Sequence, residues 1–499
     1  MRRRAGRRRR GCGSSRGANL SPGQDGRGGI TVATIDNDCQ NRVAERDRES
    51  SGDAQGHAAT RSSLPPAAAG TVSADPPERD EDTVTITAPA PTTAAPIDRW
   101  SAAPRPATPQ EWLTRAEEVA AALAGDALER DRAGAAPTAE VALLKAAGLV
   151  TLLGPAEHGG GAQEWTTALR VIRTIARADG SIGQLLGYHY LWAWAARLVG
   201  TAEQIAAVEQ LATEGNLLYG GAVNPRDSDL TVREEGDELV FTGRKSFSTG
   251  GVVSDLTVLE GVLEGTDTHV FAIVPTDQAG IVFGHDWDSL GQRLTESGSV
   301  EIRGVRVPWA AAAGFVDRVY QPLVYNTLNV PTIQQIFAEF YLGIAQGALE
   351  RAAQYTRERT RPWPYGGDDK QSASEEWYVL EGYGDLQSRL WADEALIDAT
   401  GAELSAVLHA PREELTPRRR GEIAVRIAAA KARIVEDGLA TATRVFELTG
   451  ARATASTVGL DLYWRNLRTH SLHDPLPYKR REVGVFALLD TVPEPSWYT

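Results

Sequence analysis

Cysteine and methionine are nearly absent from this chain of 499 residues: it has two cysteines, Cys12 and Cys39, and one methionine, Met1. From residue 40 onward there is no cysteine at all. That excludes a disulfide framework and thiolate chemistry from the body of the protein. No apolar run approaches the roughly 18 residues of a membrane span. Neither a P-loop nor a Rossmann glycine fingerprint is present, so the usual phosphate and nicotinamide cradles are missing. A basic surface is missing too. Residues 1–96 hold 14 Lys+Arg and 12 Asp+Glu, which leaves 38 and 54 for residues 97–499 and a net charge of −16 there. An acidic body argues against nucleic acid as a partner. A cytoplasmic protein with neither nucleic-acid nor membrane partners is expected.

The remaining composition, 42% hydrophobic and 24% charged, is that of a globular protein. Residues 1–96 are rich in Arg, Gly, Ser, Pro, Ala, Asp and Thr, which predicts a disordered tail. Its basic runs, Arg2 to Arg4 and Arg7 to Arg10, read as solvated charge or as an anionic-surface tether. No aromatic interleaves them as a stacking platform requires, which favours the first reading. Residues 97–215 read as an N-terminal helical domain, with helices over 112–130, 138–147, 164–178 and 180–199. The last is apolar nearly all round and so expected to be buried. Residues 216–317 switch to period-two strands over 217–223, 230–233, 238–241, 256–259, 268–274, 281–283 and 298–305, which predicts a compact antiparallel barrel or sandwich. Residues 318–490 return to helical spacing over 320–359 (interrupted by Pro331), 375–408, 417–448, 457–470 and 477–489. These predict a four-helix bundle with a short last helix, and residues 491–499 form a C-terminal tail. Helices, strands, then helices give an α+β class.

Four stretches carry candidate chemistry. His470 and His473 lie three positions apart where Asp474-Pro475 ends a helix, and histidine is the side chain that titrates nearest neutral pH. Two ligands at that spacing without a third make no metal site. Tyr188-His189-Tyr190-Leu191-Trp192 is either a satisfied core histidine among aromatics or an aromatic wall with one proton donor. In the second case Tyr188, Tyr190 and Trp192 would face a flat, apolar substrate. Gly243 to Gly251 brackets Phe247, Ser248 and Thr249 with glycines, and is either a seat for a planar ring or a hairpin without ligand. Arg357, Arg359 and Arg361 crowd a helix end, where they complement its dipole or grip a phosphate.

Over about residues 105–490 this order of parts, with these motifs, resembles the acyl-CoA dehydrogenase superfamily, and within it the reduced-flavin monooxygenase branch typified by dibenzothiophene monooxygenase. One large dehydrogenase subgroup carries its glutamate base in Tyr-Glu-Gly after an Arg-Asp-x-Arg helix. Here Arg465-Asn466-Leu467-Arg468 runs instead into His470-Ser471-Leu472-His473-Asp474-Pro475. The resemblance implies an acyl-CoA dehydrogenase-like fold with flavin contacts from Phe247, Ser248, Thr249 and His470. It implies a flavin edge at Gly221 to Pro225 that includes Asn224, and a phosphate contact from Arg359 that reaches a neighbouring subunit. His189, Ser248 and His473 would line the oxygenating pocket. It further implies reduced FMN delivered by an NAD(P)H-dependent flavin reductase, O2 as co-substrate, a flavin hydroperoxide, and a homotetramer. The substrate would be small, apolar or aromatic, with sulfur, nitrogen or electron-rich carbon as the oxygen acceptor. An FAD-dependent acyl-CoA dehydrogenase and a non-enzymatic scaffold are the alternatives.

Overall fold

The apolar stretch from Gly180 organises the fold, because a helix without a polar face must be covered on all sides. A computed structural model of the chain describes residues 97–100, 103–224, 229–366 and 370–499. The expectations for the tail 1–96 and for Pro225 lie outside the described residues. The N-terminal helices are α1 (Pro109–Ala124), α2 (Ala127–Ala133), α3 (Thr138–Ala146), α4 (Trp165–Ala178), α5 (Gly180–Ala193), α6 (Ala195–Val199) and α7 (Ala202–Glu214). A capping box of Thr108 and Glu111 opens α1, and Gly125 ends it where a single helix to Arg130 is expected. The helix expected over 180–199 likewise divides, at Trp194. Helix α5 is buried from Gly180 to Trp192. The Asp179 carboxylate caps it by accepting from the amides of Ser181 (3.0 Å) and Ile182 (3.2 Å), and Arg130 donates to the same side chain at 2.7 Å.

The strands are β1 (Tyr219–Ala222), β2 (Thr231–Glu235), β3 (Glu238–Lys245), β4 (Leu256–Leu263), β5 (His269–Pro275), β6 (Ile281–Phe283) and β7 (Val300–Pro308), followed by a small hairpin of β8 (Phe315–Val316) and β9 (Val319–Tyr320). The first seven form one sheet in the order β1-β4-β2-β3-β7-β6, with β5 paired to β4. It is mixed, not wholly antiparallel: β4 runs parallel to both β1 and β2. The β2–β3 hairpin lies between β1 and β4 in sequence and supplies the long crossover a parallel pair requires. A buried ionic knot ties the layer together. Lys245, at the end of β3, donates to Glu260 of β4 at 2.8 Å and to the Asn224 carbonyl at 3.0 Å. The second oxygen of Glu260 is bonded by His269 of β5.

The second helical block holds α8 (Asn329–Arg359), α9 (Trp377–Leu408), α10 (Pro417–Thr449), α11 (Asp461–His470) and α12 (Leu476–Leu489). Three helices are long, at 31, 32 and 33 residues, and two are short. Pro331 does not interrupt α8; it sits in the first turn, where its missing N–H has no intrahelical partner to lose. Arg173 of α4 clasps the bundle, reaching Glu339 of α8 at 2.8 Å and Glu394 of α9 at 2.9 Å. Residues 491–499 pack back onto the body. The Trp497 ring lies 4.7 Å from that of His269, Lys479 donates to the Tyr498 carbonyl, and the buried Arg420 donates to that of Thr499.

Removing one partner of a buried ion pair leaves the other charge uncompensated. Glu260→Ala is therefore expected to destabilise the fold by about 3–5 kcal/mol in urea unfolding, with Lys245→Met/Glu260→Leu recovering most of that loss. A single variant as stable as the wild type would contradict the assignment.

Candidate active site

The glycine-bracketed loop after β3 is held by its backbone. Ser248 N–H donates to the Gly298 carbonyl at 3.0 Å, and Gly250 N–H to that of Thr295 at 2.8 Å. The Thr249 hydroxyl meets the Ser297 hydroxyl at 2.9 Å. Two features of this frame point to a ligand. Phe247 has φ +58° and is 63% exposed, a left-handed backbone that costs a bulky residue about 1–3 kcal/mol and that turns an apolar ring outward. Its ring stands 6.3 Å from Trp287, edge to face. Ser248 is 1% exposed and its hydroxyl has no partner among the described residues, an omission worth about 1–3 kcal/mol if nothing fills it. A Cβ on Gly251 would sit 2.6 Å from that hydroxyl, so only glycine leaves it open. Asn224 donates from its side chain to the Ser246 hydroxyl at 3.1 Å.

This loop lies on α5. A Cβ on Gly250 (φ +72°) would reach to 2.7 Å of Leu185. The backbone of β1 lies on the same helix, since a Cβ on Gly221 would be 2.7 Å from the Trp192 indole nitrogen. That nitrogen is buried and without a partner. Between Leu185 and Trp192 stands Tyr188, on the same face by helical spacing.

Tyr188 leads to the histidine corner at the end of α11. Its hydroxyl is 3.2 Å from His470 Nε2. The Tyr341 hydroxyl of α8 is 2.7 Å from His470 Nδ1 and donates to the His470 carbonyl at 3.0 Å. A carbonyl only accepts, so the single Tyr341 proton goes there, Nδ1–H donates to the tyrosine oxygen, and Nε2 accepts from Tyr188. His470 is thus a fixed neutral tautomer. Burial, then the nearby His473 and Lys431, hold its pKa well below the usual value. His473 stacks on it at 5.5 Å and 18°, and Phe337 meets both rings edge-on at 4.5 and 4.8 Å. His473 is the open member, its side chain 33% exposed, with Nδ1 3.5 Å from Asp474 Oδ1. Asp474 is ion-paired with Lys431. The loss of hydration lowers the His473 pKa, and the bond to Asp474 opposes that shift.

The remaining candidates fall elsewhere. His189 faces away from this wall: Nε2–H donates to the Val150 carbonyl at 2.7 Å and Nδ1 accepts from the Tyr219 amide at 3.1 Å. With both nitrogens bound to backbone it can neither relay a proton nor hold substrate, and the structure makes it a satisfied core histidine. Tyr190 is fully buried and donates to the Leu149 carbonyl at 2.8 Å, so it does not line a substrate wall either. Arg359 lies 18 residues along α8 from Tyr341, about 27 Å at 1.5 Å per residue, so it cannot touch a ligand lodged against His470 of its own protomer. Phe337, Tyr341, Trp287 and Lys431 were not among the sequence candidates. The i,i+4 aromatic pair Phe337/Tyr341 and a lysine amid Ala428, Ala430 and Ala432 are the faint signals that could have marked three of them. Among the described residues no group of three or more His, Cys, Asp or Glu side chains could hold a metal, and no helix is long and apolar enough to cross a membrane.

The chain matches the acyl-CoA dehydrogenase N-terminal domain over residues 110–214 and the acyl-CoA dehydrogenase C-terminal domain over residues 335–476. It is 37% identical over 409 residues to a dibenzothiophene monooxygenase of Rhodococcus erythropolis, covering 79% of this chain and 97% of that one. The chain belongs to the acyl-CoA dehydrogenase family, in its flavin-dependent monooxygenase branch. A probable FMNH2-dependent monooxygenase of Pseudomonas putida, SfnC, is 36% identical over 397 residues, covering 79% and 98%. TdsC of Paenibacillus sp. A11-2, solved in complex with FMN and indole, superposes with a TM-score of 0.74 at 35% identity, covering 78% of this chain and 100% of that one.

Burial of His189 as a neutral ring lowers its pKa to about 4. A depressed histidine pKa contributes stability that is present above the unfolded value near 6.5 and is lost as pH falls through the folded one. Stability is expected to fall between pH 6.5 and 4 by roughly 3 kcal/mol on account of His189. His189→Gln should flatten that limb in urea unfolding at stepped pH, leaving the share due to His470; an unchanged slope would contradict the account.

Proposed function

We propose that this chain is an FMNH2-dependent monooxygenase that transfers one oxygen atom of O2 to a small apolar or aromatic substrate. The other oxygen atom leaves as water, and reduced FMN, delivered by a separate NAD(P)H-dependent reductase, supplies the two electrons. The observation that carries this reading is the buried, unmatched Ser248 hydroxyl on a glycine-relieved loop that shares α5 with a pair of neutral histidines. The family kinship and the FMN complex of TdsC support FMN rather than FAD.

When bound in this seat, reduced FMN supplies the electrons that activate O2. Phe247 and the loop from Ser248 to Gly250, whose amides are bonded within the protein, would pack against the ring, and the β1 exit near Asn224 would lie beside it. Ser248 donates a hydrogen bond from its hydroxyl. His473, neutral and with Nδ1 toward Asp474, takes up a proton at Nε2 and returns it. His470 is the rigid support on which His473 stacks. Tyr188, Trp192 and Phe337 keep water from the reacting atoms, which protects a reactive oxygen donor from hydrolysis. An indole or an aromatic sulfur heterocycle fits the wall of Tyr188 and Trp192. The dehydrogenase alternative needs a free carboxylate base over the ring. The carboxylates beside the histidine corner, Asp474 and Glu482, are both held by lysines, which disfavours it.

Arg359 serves the FMN phosphate of a second copy in a homotetramer. On α9, Trp377, Leu380 and Trp391 recur along one exposed face and provide the apolar stripe for that association. The compartment expected is the cytoplasm, where reductase and reduced flavin are available.

The test supplies reduced FMN under air with thioethers, aromatic sulfur heterocycles, indoles and amines, and looks for a mass gain of one oxygen. Product from none of them would overturn the reading. Ser248→Ala and His473→Ala are each expected to lower product formation by about 10²–10³, with hydrogen peroxide released in its place. Unchanged coupling of flavin oxidation to product in both variants would remove these residues from the chemistry.

A further inference from the structure

Lys431 is a cation the mechanism above does not use. It is 1% exposed in the middle of α10, with an alanine on either side. Its ammonium pairs with Asp474 Oδ1, the same oxygen that stands 3.5 Å from His473 Nδ1. It also lies 5.1 Å from the centre of the Phe337 ring, which in turn meets the His473 ring at 4.8 Å. Lys479 approaches the other Asp474 oxygen at 3.9 Å and Glu482 at 2.9 Å. Two lysines therefore face two carboxylates beneath the catalytic imidazole, and their charges cancel only while His473 is neutral.

We infer that Lys431 is a positioning residue: by holding the Asp474 carboxylate it keeps His473 neutral, with the Nδ1 proton toward that carboxylate and Nε2 left open. This rests on the reading of His473 as the proton-handling group. A carboxylate facing an imidazole alone stabilises the doubly protonated ring. Here Lys431 competes for that oxygen and adds positive charge. A second proton on His473 would set a third cation over a buried cluster of two lysines and two carboxylates, which low solvation disfavours. The other rings against His473 are His470 of α11, Phe337 of α8 and Tyr498 of the C-terminal segment, and behind them the Tyr188 and Tyr341 hydroxyls bond His470. None of them carries a negative charge at neutral pH that could replace Asp474. Burial also lowers the affinity of Lys431 for its own proton, to about 8, so its charge can be withdrawn in solution without a mutation.

The test is a titration of 13C-labelled histidine by NMR in the flavin-free protein, with the His473 signal assigned through His473→Gln. In the wild type, His473 is expected to titrate below 6.5 and to show a second, smaller inflection near pH 8 as Lys431 loses its proton. In Lys431→Gln the midpoint should rise by about one pH unit and the second inflection should vanish. In Lys431→Gln/Asp474→Asn the midpoint should return to the wild-type value or below. A Lys431→Gln midpoint equal to that of the wild type overturns the inference. Should Lys431→Gln fail to fold, Lys431→Met, which removes the charge but keeps an unbranched side chain, is titrated in its place against the same two outcomes. Because no flavin or substrate enters this measurement, a failed oxygenation assay beside the expected titration would overturn the monooxygenase reading and leave the Lys431 link standing.

Discussion

The site depends on one helix being used from two directions. The loop that carries Ser248 reaches α5 through Gly250 and Leu185, and the histidine corner reaches it through Tyr188 and His470. Helix α5 can serve both because it is buried along nearly its whole length and cannot shift without opening the core. Its N-terminus is fixed by Asp179, which Arg130 holds in turn. A sheet-borne loop and a bundle-borne corner that have no sequence proximity are thus given a common rigid reference.

The polar groups on the two sides of that reference differ in kind. On the loop side the backbone is satisfied and one hydroxyl is not. At the corner His470 is locked by two tyrosines, while His473 keeps an open edge above a buried cluster of lysines and carboxylates. Both His470 nitrogens are bonded within the protein, and His473 is the ring that keeps an exposed edge. Desolvation lowers the proton affinity of both rings.

Much of the fold could be read from periodicity. The strand segments and the long helices of the second block follow from apolar spacing, with ends displaced by a few residues, except that the helix expected from residue 320 begins at Asn329. Pro331 misled because proline breaks a helix interior but is welcome in the first turn. The parallel pairing of β4 was hidden because strand direction depends on a crossover, not on local pattern. Within the site, the residues that stood out were those whose type is unusual in context: Ser248 among glycines, and two histidines before Asp474-Pro475. His189 looked equally unusual. Its partners, the Val150 carbonyl and the Tyr219 amide, are 39 and 30 residues away in sequence, and nothing local reveals that both nitrogens are taken. Lys431 escaped notice for the converse reason, since a lone lysine in an alanine-rich helix reads as a solvated face until the fold buries it.

The central claim is that a flavin ring lodges against α5 between the Ser248 loop and His473. A crystal structure of the protein with FMN bound tests it most directly. The account predicts the Ser248 hydroxyl within hydrogen-bonding distance of the ring and His473 Nε2 facing that same ring. FMN bound at another surface, with Ser248 still unpartnered, would contradict it.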